Sequence, residues 1–375
     1  MLKQILDPLT LTAFTGAAAG HDGVLSDESG HLVIKPCTPA EIAFYESANA
    51  HHKNLAAFMP TFLGTLQLSG SQNLSTPSSS TTNTAETAPV PLIEAAASKA
   101  ILNTPSGPER AYGKRLDTDQ SIVLANVAFD FRHPNILDLK LGAQLWDSSA
   151  RPEKRAKLDK IAAETTSSSL GFRIAGMRTW QGKKAADPVE HDEELKGLVE
   201  AEESGYWVYN KMYGRKFNAQ DVIQGFAAYV LPPKNGEKRT KKQLERAREC
   251  LELFVADVER IKEILENEAS RMYSASLLFV YEGDAKAFDQ AKDILENPPV
   301  ERDEVEEDSE IKDDEGDEED EEELPKLATV KLIDFAHAKW TPGQGADENS
   351  LRGIRNTIKI LRDLINKVKD DIADI

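Results

Sequence analysis

The residues of this chain best placed to do chemistry stand in one short run, Pro134-Asn135-Ile136-Leu137-Asp138-Leu139-Lys140-Leu141-Gly142. A carboxylate and an ammonium lie two residues apart among aliphatic side chains. In a strand, period two sends Asp138 and Lys140 to one face and Leu137, Leu139 and Leu141 to the other. The aliphatic face can then bury while the charged pair lines a cleft. Pro134 favours an extended entry and Gly142 permits a tight exit. An amphipathic strand with a surface ion pair has the same pattern, so the run takes its meaning from what accompanies it.

Three further stretches carry groups of the same chemical kind. Gly30-His31-Leu32-Val33-Ile34-Lys35-Pro36 reads as a strand ending in lysine, preceded by the glycine-bearing turn Gly20-His21-Asp22-Gly23. Nucleotide kinases cover and grip phosphates in this way, and a plain hairpin with one surface lysine reads the same. Leu332-Ile333-Asp334-Phe335-Ala336-His337 closes an apolar strand with an aspartate, as in kinases that hold Mg²⁺ there, or as in any turn that starts on aspartate. Arg151 to Ile161 is predicted helical, with Pro152 and Glu153 in its first turn. Lys154, Lys157 and Lys160 sweep an arc of about 120° on that helix, beside Leu158, Ile161 and Ala162. Such a face is either solvated surface or a receptor for a small, densely phosphorylated ligand, which ammonium groups bind as point charges.

Positioning these groups takes a chain of two lobes, and 375 residues with 40% apolar content can build them. Residues 301–323 hold seventeen acidic and two basic side chains, so this tract carries about −15 of the formal −19. The remainder is close to neutral, and the low overall isoelectric point says little about its partners. Cys37 and Cys250 alone support neither a disulfide framework nor a zinc site. No uncharged apolar run is long enough for a membrane span, and Asp7 and Pro8 interrupt any leader early. A soluble intracellular protein is expected.

Residues 69–119 are rich in Ser, Thr, Pro, Asn and Ala, too polar to offset ordering entropy, and read as an insertion with at most a short helix near 92–102. The acidic tract reads as a second insertion, at about 299–325. His51 and His52 lack a third ligand at useful spacing and are expected to face solvent. Thr38 suits a helix cap before Pro39 and Glu41. Lys241 to Arg271 and Asn349 to Val368 have apolar residues at helical spacing. Strands at 274–281 and 327–335 are expected to pair across the acidic insertion.

Pro-x-x-x-Asp-x-Lys-x-Gly at 134–142 resembles the signature of the inositol polyphosphate kinase family. The Gly-His-Asp-Gly, Ile-Lys-Pro and Glu41-Ile42-Ala43-Phe44-Tyr45 strings resemble its N-terminal lobe. Thr165 to Met177 resembles its multikinase branch, and Asn210-Lys211-Met212-Tyr213-Gly214-Arg215 resembles its Asn-Lys-x-Tyr-Gly-Arg stretch. The resemblance implies an α+β, bilobal kinase-like fold: a β-rich N-lobe at 1–127 and a larger α/β C-lobe at 128–375. A small helical insert at about 148–172 would bind the inositol phosphate.

By the same resemblance Lys35 would hold ATP phosphates, paired with a glutamate of the next helix, for which Glu46 is a candidate. Ala125 and Val127, in a hinge where the family has Glu-Asn, would meet adenine through backbone atoms. Asp138 would bind the ribose. Asp334 would ligate Mg²⁺, with Ser276 near the metal. Lys140 would contact substrate and the transferring phosphoryl group, and Lys154, Lys157, Lys160 and His337 would hold the inositol phosphate. Catalysis would rest on Lys140 and Asp334, with ATP and Mg²⁺ as cofactors and the proton acceptor undecided. The missing His-Arg-Asp loop argues against a protein kinase.

The implied activity is stepwise phosphorylation of inositol 1,4,5-trisphosphate to tetrakis- and pentakisphosphate at the 6- and 3-hydroxyls. An inositol hexakisphosphate kinase is the alternative within the family. A nuclear transcriptional scaffold that binds basic proteins through the acidic tract is the alternative outside it. The expected protein is a monomer of nucleus and cytoplasm that does not bind nucleic acid directly.

Overall fold

The computed structural model describes residues 10–19, 23–67, 118–183, 186–231, 238–298 and 324–375. Three expectations lie wholly or largely outside them: the turn at Gly20 to Asp22, the 69–119 insertion with its helix, and the acidic tract.

The chain opens with β1 (Thr12–Ala13), β2 (Leu25–Ser26), β3 (Leu32–Pro36), α1 (Pro39–His51), α2 (Lys53–Ala56), β4 (Phe62–Gln67) and β5 (Gln120–Ala125). These strands form one antiparallel sheet in the order β1-β2-β3-β5-β4. The α1 helix starts where the sequence indicates: the Thr38 hydroxyl accepts from the Glu41 amide at 3.2 Å, and Pro39 follows.

There follow β6 (Pro134–Leu141), α3 (Pro152–Ala163), α4 (Thr166–Leu170), β7 (Phe172–Trp180), α5 (Pro188–His191), β8 (Val199–Ala201), β9 (Tyr206–Tyr209) and α6 (Lys211–Arg215). The chain ends with α7 (Ile223–Val230), α8 (Lys241–Asn267), β10 (Ser270–Met272), β11 (Ser276–Glu282), α9 (Ala285–Glu296), β12 (Ala328–Ile333), β13 (Ala338–Trp340) and α10 (Glu348–Ala373). The second sheet is antiparallel in the order β12-β11-β6-β7-β9-β8, and β10 pairs with β13 apart from it. A five-stranded sheet in the N-terminal part and a six-stranded sheet in the C-terminal part, with helices about them, make the expected bilobal α+β molecule.

The strands at 276–282 and 328–333 pair, with Ser276 opposite Ile333 and Leu278 opposite Lys331. Their connection also holds α9, which the sequence reading did not resolve beside the more conspicuous acidic tract.

The Asp-x-Lys run is the strand β6 at the centre of this sheet, and period two holds. Leu137, Leu139 and Leu141 are wholly buried in the main core with Leu251, Phe254 and Val258 of α8 and Leu361 and Leu364 of α10. Burial of each such leucine contributes about 1.5–3 kcal/mol. The opposite face is more enclosed than expected: Asp138 is only 5% exposed. A second, smaller apolar cluster lies on that face, built from Phe131, Ile136 and Val280 with Ala18, Val127, Ala128 and Leu278 against it.

At the far end of the helical insert, Gly171 ends α4 with φ +76 and lies against Gly353 of α10. A Cβ on Gly353 would sit 2.2 Å from the Gly171 carbonyl oxygen, so the two backbones meet only because both residues lack a side chain.

Candidate active site

Asp334 follows β12 directly and takes φ +68, a left-handed conformation that non-glycine residues adopt at a cost and that clusters at functional sites. Its two carboxylate oxygens receive two ammonium groups. Lys35 Nζ, from β3, donates to Oδ1 at 2.7 Å, and Lys140 Nζ, from β6, reaches Oδ2 at 3.3 Å. Groups 299 and 194 residues from Asp334 in sequence therefore meet on one carboxylate.

Lys35 also donates to Glu41 Oε1 at 2.9 Å, and the same oxygen accepts from the Phe335 amide at 3.2 Å. Glu41 is 1% exposed and so links β3, α1 and the Asp334 loop. This corrects the sequence-level candidate: Glu46 is exposed and takes no part. Burial alone would lower the Lys35 pKa, but the Asp334 and Glu41 carboxylates outweigh it and hold the ammonium charged far above its ordinary range. Phe335, wholly buried, is stacked on Phe44 at 4.9 Å and meets Tyr45 edge-on at 5.3 Å, which fixes the loop against α1.

Asp138 and Lys140 lie on one face of β6, with Ser276 opposite Lys140 and Leu278 opposite Asp138 on β11. Among the described residues Asp138 Oδ1 and Ser276 Oγ are buried without a well-formed hydrogen bond. Buried polar atoms are rarely left so, and these two lie on the same sheet face as Lys140. Burial pushes the Asp138 carboxyl up, and nearby Asp334 adds to this, while Lys140 and Ser276 oppose it. Arg173, opposite Lys140 on β7, was not singled out in the sequence. Burial and the facing Arg215 lower its pKa to about 10 while Asp138 raises it. The only clue was its place in the Thr165 to Met177 stretch.

At the connection between sheets, the Asn126 side chain donates to the Gly30 carbonyl at 2.8 Å and accepts from the Ala128 amide at 3.0 Å. The Ala125 amide is already engaged by the Thr61 carbonyl at 2.9 Å. Val127 keeps its backbone N–H and C=O without a protein partner among the described residues, next to the Phe131–Ile136–Val280 cluster.

On the insert, Lys154, Lys157 and Lys160 are all exposed. Only Lys154 reaches the site, with Nζ 3.5 Å from Nε2 of His337. Lys160 lies 3.7 Å from Glu164, an exposed pair of little energetic weight. His337 Nδ1 is 2.6 Å from Asp147 Oδ2, a partner that sequence reading did not find. His52, expected at the surface, is instead stacked on Trp340 at 3.6 Å and bonded to Glu268 at 2.8 Å; His51 is exposed. Among the described residues no three His, Cys, Asp or Glu side chains gather as a metal cluster, and no helix is long and apolar enough to cross a membrane.

Residues 121–362 match the family profile described as "Inositol polyphosphate kinase". The chain is 32% identical over 366 residues to the inositol polyphosphate multikinase of Saccharomyces cerevisiae, covering 92% of this chain and 95% of that one. The chain belongs to the inositol polyphosphate kinase family. It is 25% identical to the multikinase of Schizosaccharomyces pombe, over 93% of this chain and 96% of that protein. Among solved structures it resembles the S. cerevisiae inositol phosphate multikinase Ipk2 in complex with ADP and Mn²⁺. That match has a TM-score of 0.60 and 28% identity, over 90% of this chain and all of the other. In this member of the family Lys35 and Lys140 thus meet on Asp334, with Asp138 and Ser276 on the same sheet face as Lys140 and with Lys154 beside His337.

Proposed function

We propose that the chain phosphorylates inositol 1,4,5-trisphosphate stepwise, at the 6- and 3-hydroxyls, with Mg-ATP as donor. The observation that carries this is the convergence of Lys35 and Lys140 on Asp334, at 2.7 and 3.3 Å, beside the buried Asp138 and Ser276 oxygens. Phosphoryl transfer asks chiefly for positioning and charge neutralisation, and this set supplies both.

Asp334 and the Ser276 hydroxyl are hard oxygen donors suited to Mg²⁺, which takes few protein ligands and fills its shell with phosphate and water. A bound Mg²⁺ neutralises charge on the phosphates. Asp334 and Ser276 would hold the ion, and Lys35 and Lys140 would then turn their ammonium groups to phosphate oxygens. In this reading Lys35 holds the ATP phosphates and Lys140 faces the transferring group. Val127 meets the adenine edge through its backbone, with the Ala125 carbonyl beside it, and Asp138 accepts from the ribose hydroxyls. Lys154 holds a substrate phosphate and His337 faces an inositol hydroxyl, with Lys157 and Lys160 further along the same helix supplying field. The two lobes divide near 127/128 and the insert at about 148–172 belongs to the substrate.

The acidic tract, with seventeen carboxylates at 301–323, favours a second, compatible role in binding basic proteins in the nucleus. Lys140→Ala and Asp334→Ala test the catalytic reading. Each removes charge aimed at the transferring phosphoryl group, so turnover should fall by at least about 10²–10³ while circular dichroism stays that of the parent. Near-normal turnover in either variant contradicts it.

A further inference from the structure

Asp147 lies in the loop between β6 and α3, and His337 lies three residues past Asp334. The two elements come from opposite ends of the C-terminal lobe's sequence. Asp147 Oδ1 accepts from the Ser149 amide at 2.6 Å and from the Ser149 hydroxyl. Its Oδ2 is 2.6 Å from His337 Nδ1. The loop itself is clamped to the first turn of α3, where Arg155 donates to the Ala150 carbonyl at 2.7 Å and to the Ser148 carbonyl at 2.5 Å. Burial works to raise the Asp147 pKa, but Ser149 and His337 outweigh it and keep the carboxyl below its ordinary range. The side chain of Asp147 is 14% exposed and that of His337 39%, so the histidine ring alone opens to the cleft.

We propose that Asp147 is a positioning residue for the inositol phosphate, acting through His337. A carboxylate can only accept, so the proton of the ring must stand on Nδ1. Nε2 is thereby left as an acceptor, 3.5 Å from Lys154 Nζ and able to accept from an inositol hydroxyl. The Asp147–His337 pair also spans from the substrate insert to the loop that carries Asp334. It sets how far the phosphate-gripping lysine stands from the phosphoryl-transfer centre. This deepens the functional reading above and rests on its assignment of His337 to the substrate.

Asp147→Asn separates positioning from a merely local role. Asparagine is as good as aspartate in a turn that accepts from the amide two residues on, so Oδ1 retains the Ser149 contact. Its amide N–H₂ then faces His337 Nδ1, which must become an acceptor and shift its proton to Nε2. The same exchange of partner at a buried His–Asp pair costs the correct tautomer in serine proteases.

The experiment measures KM for inositol 1,4,5-trisphosphate and for ATP in the parent, Asp147→Asn, His337→Ala and the double variant. The ¹⁵N shifts of the His337 ring are recorded in the parent and in Asp147→Asn. Asp147→Asn should raise KM for the inositol phosphate about tenfold, the worth of one lost hydrogen bond. KM for ATP should stay within about twofold by the same reasoning, with the ring proton moved to Nε2. In the His337→Ala background the Asn substitution should add nothing. A parental inositol phosphate KM in Asp147→Asn, beside a raised one in His337→Ala, overturns the positioning role alone. A parental KM in His337→Ala overturns the substrate assignment on which it rests.

Discussion

One carboxylate, Asp334, receives two lysines from different sheets, and a third group, Glu41, fixes the nearer lysine. Glu41 is buried and bonded to both Lys35 and the Phe335 amide, while Glu46 faces solvent on the same helix. Glu41→Ala should therefore lower kcat/KM for ATP by at least about tenfold, because Lys35 then leans on Asp334 alone and competes with the metal for it. Glu46→Ala should leave the rate unchanged, and steady-state kinetics on the pair will tell. Equal losses in both variants would contradict this assignment.

The Asp-x-Lys face was legible because a strand's period of two is fixed by backbone geometry. Which glutamate pairs with Lys35 was not, since five residues along a helix turn the side chain by about 140° and tertiary packing chooses the phase. The Asp147–His337 contact was illegible for a plainer reason: 190 residues separate its partners, and although the Asp-Phe-Ala-His run marked His337, no local pattern marked Asp147.

At the scale of elements, the sheet β12-β11-β6-β7 carries the chemistry, and long helices hold it. Amphipathic spacing located α8 and α10, which pack on each other and on the leucines of β6. Pattern also foresaw the β11–β12 pair, but not α9 in their connection. That helix, Ala285 to Glu296, is tied to α8 by Asp289, which binds Arg246 Nε at 2.8 Å and Nη2 at 2.7 Å and Lys242 at 2.7 Å.

The bidentate Arg246 contact is the main reason Asp289 titrates at about 2 rather than 3.8. A carboxyl depressed on folding adds stability above its unfolded pKa, and loses it as pH falls through the folded value. Asp289→Asn should thus cost about 1 kcal/mol or less at neutral pH, given the group's partial exposure. The deficit should close between pH 4 and 2, as urea titrations at several pH values would register. A deficit independent of pH would show the ion pair to be idle.

For the whole molecule, charge and catalysis are separable. The tract at 301–323 carries about −15 of the total −19, so the catalytic body is nearly neutral apart from its clustered lysines. Deleting 301–323 should leave kcat within about twofold, because every side chain assigned to the site lies outside it. It should also abolish capture of a basic protein such as histone on a column of the immobilised enzyme. Loss of turnover on deletion would mean that the tract takes part in the fold or the site.

The family resemblance implied that Lys35, Asp138, Lys140 and Asp334 share one crevice; the folded chain joins Lys35 and Lys140 on Asp334 and sets Asp138 on the same strand face as Lys140, partners that only coordinates could supply. The most direct measurement is product analysis of the purified full chain with Mg-ATP and inositol 1,4,5-trisphosphate, resolved by anion-exchange chromatography. The crevice predicts a tetrakisphosphate that appears first and a pentakisphosphate that follows. Unchanged trisphosphate beside intact ATP would contradict it.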